Sequence, residues 1–315
     1  MICPAVSVII PVRNGSTYIA EAIASVLSQS FQDVEIVVIN DGSTDGDYDL
    51  LTSIDPRISV LHLAGCGVST ARNLGMRAAR GELIAFLDAD DVWFPGKLQA
   101  QVSYMQAKPE VGVVFGGFLK WEAGTGGVFP PASGLVSDCS AVTRDEEARS
   151  GWLYSRLLMG LLVGMNTAMV RRSVVDAIGG FNTSLRQAED YDFWLKASRV
   201  AEMHALDGRV ALYRIHPASA MHRLAPDNAL VTVLRAARMR WGLQGPGDDS
   251  VSAHAFHQRT AQIQFDHGYA HFWQGSRSVA RSAFYHALRA GYRPWRSAAY
   301  LGLAVLPKAL GRRHG

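Results

Sequence analysis

A short β-branched run, Val6-Ser-Val-Ile-Ile10, ends at Pro11 and the turn residues Asn14-Gly15, the pattern of a buried strand feeding a loop. The period then changes: Ile19, Ala22, Ile23, Val26 and Leu27 recur at helical spacing, and Glu35 to Ile39 restores the strand pattern. The turn formers Asn40 to Gly46 follow, placing Asp41 at the carboxyl end of that second strand. A third strand is predicted over Ile58 to Leu63, before Gly65-Cys66-Gly67. Ser69 to Arg80 reads as a helix stopped by Gly81, and Leu83 to Leu87 as a fourth strand running directly into Asp88-Ala89-Asp90-Asp91. Alternating strands and helices predict an α/β fold with a mostly parallel, doubly wound sheet. Ligands of such sheets bind beyond the carboxyl ends of the strands, where Asn14, Asp41 and Asp88 all fall.

From Gly116 to Ser150 the periodicity fades and glycine, proline and charge content rises, which predicts a loop-rich insertion. Met165 to Arg171 reads as a strand, Ser173 to Ile178 as a short helix and Gly179-Gly180-Phe181 as a turn. Glu189-Asp190 then precedes a helix carrying Phe193, Trp194, Leu195 and Ala197, with Trp194 expected in the core and Asp192 outside any site. Beyond Asp227 the pattern is helical almost throughout. Gly268, Tyr269, Trp273, Gly275, Ala280, Phe284, Ala287, Leu288 and Pro294 resemble one tetratricopeptide helix pair. The chain therefore divides into residues 1–225 and a helical C-terminal region, 226–315.

Composition refines this without redirecting it. At 315 residues and 48% hydrophobic content the chain can bury a full core. Cys3, Cys66 and Cys139 form no CxxC pair, so a reducing, cytoplasmic setting fits. A net charge of +3 makes no case for nucleic acid. No basic leader precedes the first apolar run, and the longest uncharged stretch near the end, Ser297 to Pro307, is about half the roughly 20 residues a membrane span needs. Arg289, Arg293, Arg296, Lys308, Arg312 and Arg313 surround apolar residues there, compatible with peripheral contact at an anionic membrane face or with a solvated helix face.

The strongest chemical signal is Asp88-Ala89-Asp90 at a strand end, where like charges repel unless something positive sits between them. A hard divalent ion bridging substrate phosphates needs little more protein anchorage than two carboxylates. An acidic loop capping the next helix would leave the same pattern. His254 with His257, and His267 with His271, have spacing that could bind metal, but partly exposed helix histidines are the better account of them.

Five segments settle the context: Val6 to Asn14, Val37-Val-Ile-Asn-Asp-Gly-Ser43, Gly67-Val-Ser-Thr-Ala-Arg-Asn-Leu-Gly75, Gly81 to Asp91 and Ala188-Glu-Asp-Tyr-Asp-Phe-Trp194. In these segments, and in this order over Ala5 to Ser219, the chain resembles the family 2 glycosyltransferases. The resemblance implies a glycosyltransferase A-type, Rossmann-like sheet flanked by helices, and an inverting transfer from a nucleotide-sugar donor to a saccharide or lipid-linked glycan in cell-surface polysaccharide synthesis. It implies that Pro11 and Asp41 line the nucleoside pocket, Asp41 accepting from a base imide N–H, which favours uridine. Arg72 would lie near the nucleotide, Asp88 at the ribose or a metal-bound water, and Asp91 at the donor sugar unless it merely begins the next helix. Asp90 would bind the cation, Mn²⁺ or Mg²⁺, and His216 in Tyr213-Arg-Ile-His216 would join it, favouring Mn²⁺. Asp190 would be the general base, its proton affinity raised by Glu189. Acceptor contacts are expected in Gly116 to Gly164 and near the helical tail.

Two other classes compete. An NAD-dependent oxidoreductase would need a GxGxxG loop after the first strand, and Pro11-Val-Arg-Asn-Gly15 is not one. A catalytically weak relative acting as an assembly partner would not need Asp88, Asp90, Asp190 and His216 together.

Overall fold

The computed structural model describes residues 3–124, 126–142, 144–216 and 224–305. Ser219, Lys308, Arg312 and Arg313 lie outside the described residues.

Eight strands form one sheet in the order β3-β2-β1-β4-β7-β6-β8-β5. The first half is parallel: β1 (Val6–Val12) lies between β2 (Val34–Asp41) and β4 (Leu83–Phe86), with β3 (Ile58–Leu63) outside β2. Buried on both faces, β1, β2 and β4 are almost continuous apolar runs, as parallel strands covered by helices require. Helices α1 (Ile19–Leu27) and α2 (Val68–Ala78) make the crossovers. Close approach of α2 to the sheet depends on Gly75, where a Cβ would sit 2.6 Å from Ile9 Cγ2 and 2.7 Å from Ile39 Cδ1.

Pro11 sits inside β1 at a place that tolerates it. Ala5 and Ile9 accept from Leu83 and Leu87 N–H, so the missing N–H of Pro11, next in that alternation, would face β4 where that strand has ended.

The second half mixes directions. After the short β5 (Val92–Trp93) and α3 (Lys97–Ala107) comes β6 (Val111–Glu122), parallel to β8 (Glu202–Ile215) and antiparallel to β7 (Met169–Arg171). β5 and β7 run antiparallel to β8 and β4 respectively. The loop-rich stretch thus begins later than Gly116. Gly116 and Gly117 lie within β6 at a bulge, where Cβ atoms would meet Gly208 O at 3.3 and 3.1 Å, so their glycine content marks strand crowding, not a loop. Past Glu122, the described residues up to Ser150 are irregular apart from single turns at Ala132–Gly134 and Glu147–Arg149 and an isolated bridge from Asp145 to Leu206. The strand expected from Met165 starts only at Met169, because Met165–Thr167 forms a helical turn.

Short helices α4 (Tyr154–Met159), α5 (Arg172–Ile178) and α6 (Glu189–Ala197) cover one face of the sheet, burying Tyr154, Phe193 and Trp194. Four helices close the described chain: α7 (Ala229–Trp241), α8 (Ala253–Gln274), α9 (Arg277–Arg289) and α10 (Pro294–Leu303). Val231, Leu234 and Phe256 join the main core, whereas Phe265, Phe272 and Phe284 build a separate one between α8, α9 and α10. His271 is buried, not partly exposed as expected, and bonds Ala225 O at 2.8 Å, while His267 reaches Pro226 O at 3.4 Å. Both histidines dock α8 against the segment before α7. No helix among the described residues is long and apolar enough to cross a membrane.

Candidate active site

Three loops meet at the carboxyl ends of β1, β2 and β4. Asn14, held at φ 53°, accepts from Thr44 N through Oδ1 at 2.9 Å, and its own N–H donates to Ser43 Oγ at 2.9 Å. Asparagine tolerates this left-handed conformation better than most residues. Asp41 ends β2 nearly buried, its two oxygens accepting from Cys66 N and Gly67 N at 2.7 Å each. It therefore pins the loop that starts α2, the helix carrying Arg72.

Arg72 joins the two acidic clusters. Its guanidinium, 4% exposed, donates from Nη2 to Asp88 Oδ1 at 2.8 Å and from Nη1 to Glu189 Oε1 at 3.3 Å, and it lies 5.3 Å from the centre of the Phe181 ring. Burial works against its charge, but Asp88 and Glu189 outweigh that and hold its pKa above the ordinary value. Motifs 117 residues apart, on α2 and α6, are thereby joined through one side chain.

Asp190 lies in the first turn of α6, behind Ala188, whose φ of 59° is unusual for a residue with a Cβ. Burial pushes the Asp190 carboxyl above its ordinary range, Arg72 and the Tyr191 N–H pull it back, and the charge of Asp88 adds to the rise. The rise comes chiefly from burial and Asp88 rather than from Glu189, the expected cause. Glu189 is raised mainly by burial too, against Arg72 and with Asp190 as the like charge. Asp192 instead pairs with Lys196 at 3.0 Å, and Trp194 is fully buried.

In the Asp88–Asp91 loop the acids diverge. Asp90 Oδ2 meets His216 Nε2 at 2.9 Å, and burial followed by the charge of Asp88 raises its pKa. Asp91, expected at the donor sugar, is fully buried instead. Its N–H donates to Asp88 O at 3.0 Å in a tight turn, and the turn sends its side chain inward to accept from Arg214 N at 2.9 Å and Asn166 Nδ2 at 2.5 Å. Its position serves to hold the loop, not to reach the crevice.

Arg214 completes that hold. Its Nε donates to Asp90 O at 2.7 Å, Nη2 pairs with Glu21, and its guanidinium stacks 3.7 Å over Trp121. Neighbouring Tyr213 feels four acids of the site: burial, then Asp91, Asp88, Asp90 and Asp190, push its phenol up to about 12. Arg214 and Tyr213 lie in the segment already noted for His216, but nothing in their spacing marked them. Asn166 carried no signal at all.

Asp90 and His216 fit a divalent cation. They meet at 2.9 Å, one oxygen and one nitrogen ligand. Among the described residues no group of three His, Cys, Asp or Glu side chains surrounds a point, so other positions would fall to diphosphate oxygens and water, the usual arrangement for such ions.

Known proteins resemble the chain in sequence and in fold. The sequence profile described as Glycosyl transferase family 2 matches residues 7–129. The putative teichuronic acid biosynthesis glycosyltransferase TuaG of Bacillus subtilis (strain 168) is 29% identical over 242 residues, 76% of this chain and 86% of that protein. Three Rickettsia proteins, each named as an uncharacterized glycosyltransferase, are 30–31% identical, and the chain spans 37–65% of their lengths. Among solved structures, S. aureus TarS 1–349 with UDP-GlcNAc superposes with a TM-score of 0.64 at 20% identity, covering 90% of this chain and 81% of that one. The mannosyltransferase PcManGT from Pyrobaculum calidifontis, in complex with GDP-Man and Mn²⁺, gives 0.60 at 21% identity, covering 99% and 89%. At such identities the structural likeness shows the fold alone. Together these matches show a Glycosyl transferase family 2 domain over residues 7–129 and a glycosyltransferase A fold.

Proposed function

We propose that the chain transfers a sugar from a UDP-sugar to a hydroxyl of a saccharide or lipid-linked glycan in cell-surface polysaccharide synthesis, with inversion. The observation that carries this is Arg72, which ties the strand-end acid Asp88 to Glu189 beside Asp190, making a donor side and a base side neighbours. The names of TuaG, TarS with UDP-GlcNAc and PcManGT with Mn²⁺ support the substrate classes and the cation.

In this reading Pro11 and Asp41 line the nucleoside pocket. Asp41 spends one lone pair of each oxygen on the Cys66 and Gly67 N–H groups and keeps capacity to accept from a uracil imide. Arg72 and Asp88 lie towards the diphosphate and ribose, and Asp90 with His216 would hold Mn²⁺ in preference to Mg²⁺. That ion supplies charge neutralisation of the leaving diphosphate. Asp190 takes the proton from the acceptor hydroxyl as that oxygen attacks the anomeric carbon from the face opposite the diphosphate. A single attack needs no protein nucleophile. Residues 1–225 form the catalytic unit and 226–315 a helical region packed onto it.

The full chain is expected to release UDP from at least one UDP-sugar with Mn²⁺, to lose that release in EDTA, and to give a product of inverted anomeric configuration by NMR. Donor at a hundredfold excess over its Kd should also stabilise the fold by about 2.7 kcal/mol. Absence of both cation-dependent release and protection against heating across a panel of nucleotide sugars would overturn the reading.

We place the chain in the cytoplasm, peripheral to an anionic membrane face through α9 and α10. Arg289, Arg293 and Arg296 lie there beside Trp295, which is 88% exposed. The full chain should sediment with vesicles containing anionic lipid and not with neutral ones, and equal behaviour would remove this contact.

A further inference from the structure

A cavity of about 320 Å³ opens against Asp190, between the start of α6 and the helices α7 and α8. Its size lies at the low end of small-molecule sites, ~300–1,000 Å³, enough for one sugar residue but not a chain. Apolar walls come from Leu161, Tyr191 and Leu230, and polar groups from Asn228 and Arg259. Asp227 lies at its exposed rim.

Arg259 is the unusual member. It donates from Nη1 to Gln262 Oε1 at 3.1 Å, its Nε is buried with no hydrogen-bond partner, and among the described residues it makes no ion pair. Arg259 is only partly buried and its charge also acts on Asp266, but it forms no ion pair among the described residues, and the planar fork of a guanidinium matches a carboxylate or phosphate from outside the chain. The charges of the cavity also set a direction, because Asp190 and Asp227 repel an anion that Arg259 attracts.

We infer that the acceptor is an anionic saccharide, bearing a carboxylate or a phosphate, whose charged group is bound by Arg259 while the hydroxyl to be glycosylated lies at Asp190. This rests on the transfer reading above for the role of Asp190. It makes α7 and α8 part of the acceptor site and gives specificity to a residue outside the matched family domain.

The test is a ligand-observed NMR titration of the full chain with glucuronate, glucose 6-phosphate and glucose. At least one anionic sugar should bind at least tenfold more tightly than glucose. Preference for glucuronate points to a carboxylate, and preference for glucose 6-phosphate to a phosphate. Arg259→Gln should remove the preference, and Arg259→Lys, which keeps the charge but not the fork, should retain part of it. Equal binding of all three sugars to the unaltered chain, or an Arg259→Gln chain that keeps its preference, overturns the inference. UDP affinity on the same samples separates the two readings. An unaltered chain that binds UDP but shows no anion preference is a failure of the Arg259 assignment only, whereas an unaltered chain that binds no UDP fails the donor reading.

Discussion

Replacing Asp190 by Asn is expected to lower the transfer rate about 10²–10⁴-fold, the range a positioned general base supplies, while leaving UDP affinity within about twofold. The substitution is nearly isosteric, so packing of α6 should survive. Asp190 bonds the Tyr191 N–H at 2.7 Å through Oδ1, a contact that the amide oxygen of Asn reproduces. What disappears is the proton acceptor. The wild-type pH profile gives an independent check. Burial raises the Asp190 carboxyl above its ordinary 3.8, so kcat/KM should fall on the acid side with an apparent pKa above that value as the base becomes protonated. The residual activity of Asp190→Asn should lack that limb. Initial rates across pH, with UDP affinity by calorimetry, decide the matter, and a normal rate would move the base elsewhere.

How far the sequence could reach is visible in which residues it placed. Asp41, Asp88 and Asp190 were readable because each stands where a regular period stops: the first two at strand ends, the third at a helix start. Periodicity locates such junctions well. It does not show which way a side chain turns after the junction, and Asp91 illustrates the gap, since one tight turn separates an acid facing the crevice from one bonded to Asn166 and Arg214. Pairings that are long in sequence were equally hidden. β6 and β8 begin about 90 residues apart, and the glycines that let them approach imitate a loop. The cavity against Asp190 depends on α7 and α8 folding back on α6, which helical period alone cannot announce.

The same long-range geometry makes Arg72→Gln the second large effect. Arg72 is the buried cation between Asp88 and Glu189, so its loss leaves Glu189 and Asp190 in a partly dry site with the like charge of Asp88 unopposed beside them. Breaking a buried pair by removing one partner costs about 3–5 kcal/mol, and the low end, about 3 kcal/mol at neutral pH, applies because Asp88 is 30% exposed in its side chain. The pH dependence has a definite sign. Glu189 and Asp190 are raised in the folded chain from 4.5 and 3.8, chiefly by burial and against Arg72, so the folded state holds more protons than the unfolded one across that interval. Stability from such groups is present below their unfolded pKa and lost as pH rises through the folded one. Removing Arg72 takes away the charge that opposes the rise, which widens the interval. The penalty of Arg72→Gln should therefore be greatest at pH 7 and shrink towards pH 4.5, as protons take over the neutralising role of the guanidinium. Urea unfolding of both chains across that range measures it. A penalty independent of pH would mean that Arg72 holds α2 against Phe181 by packing and that its charge matters little.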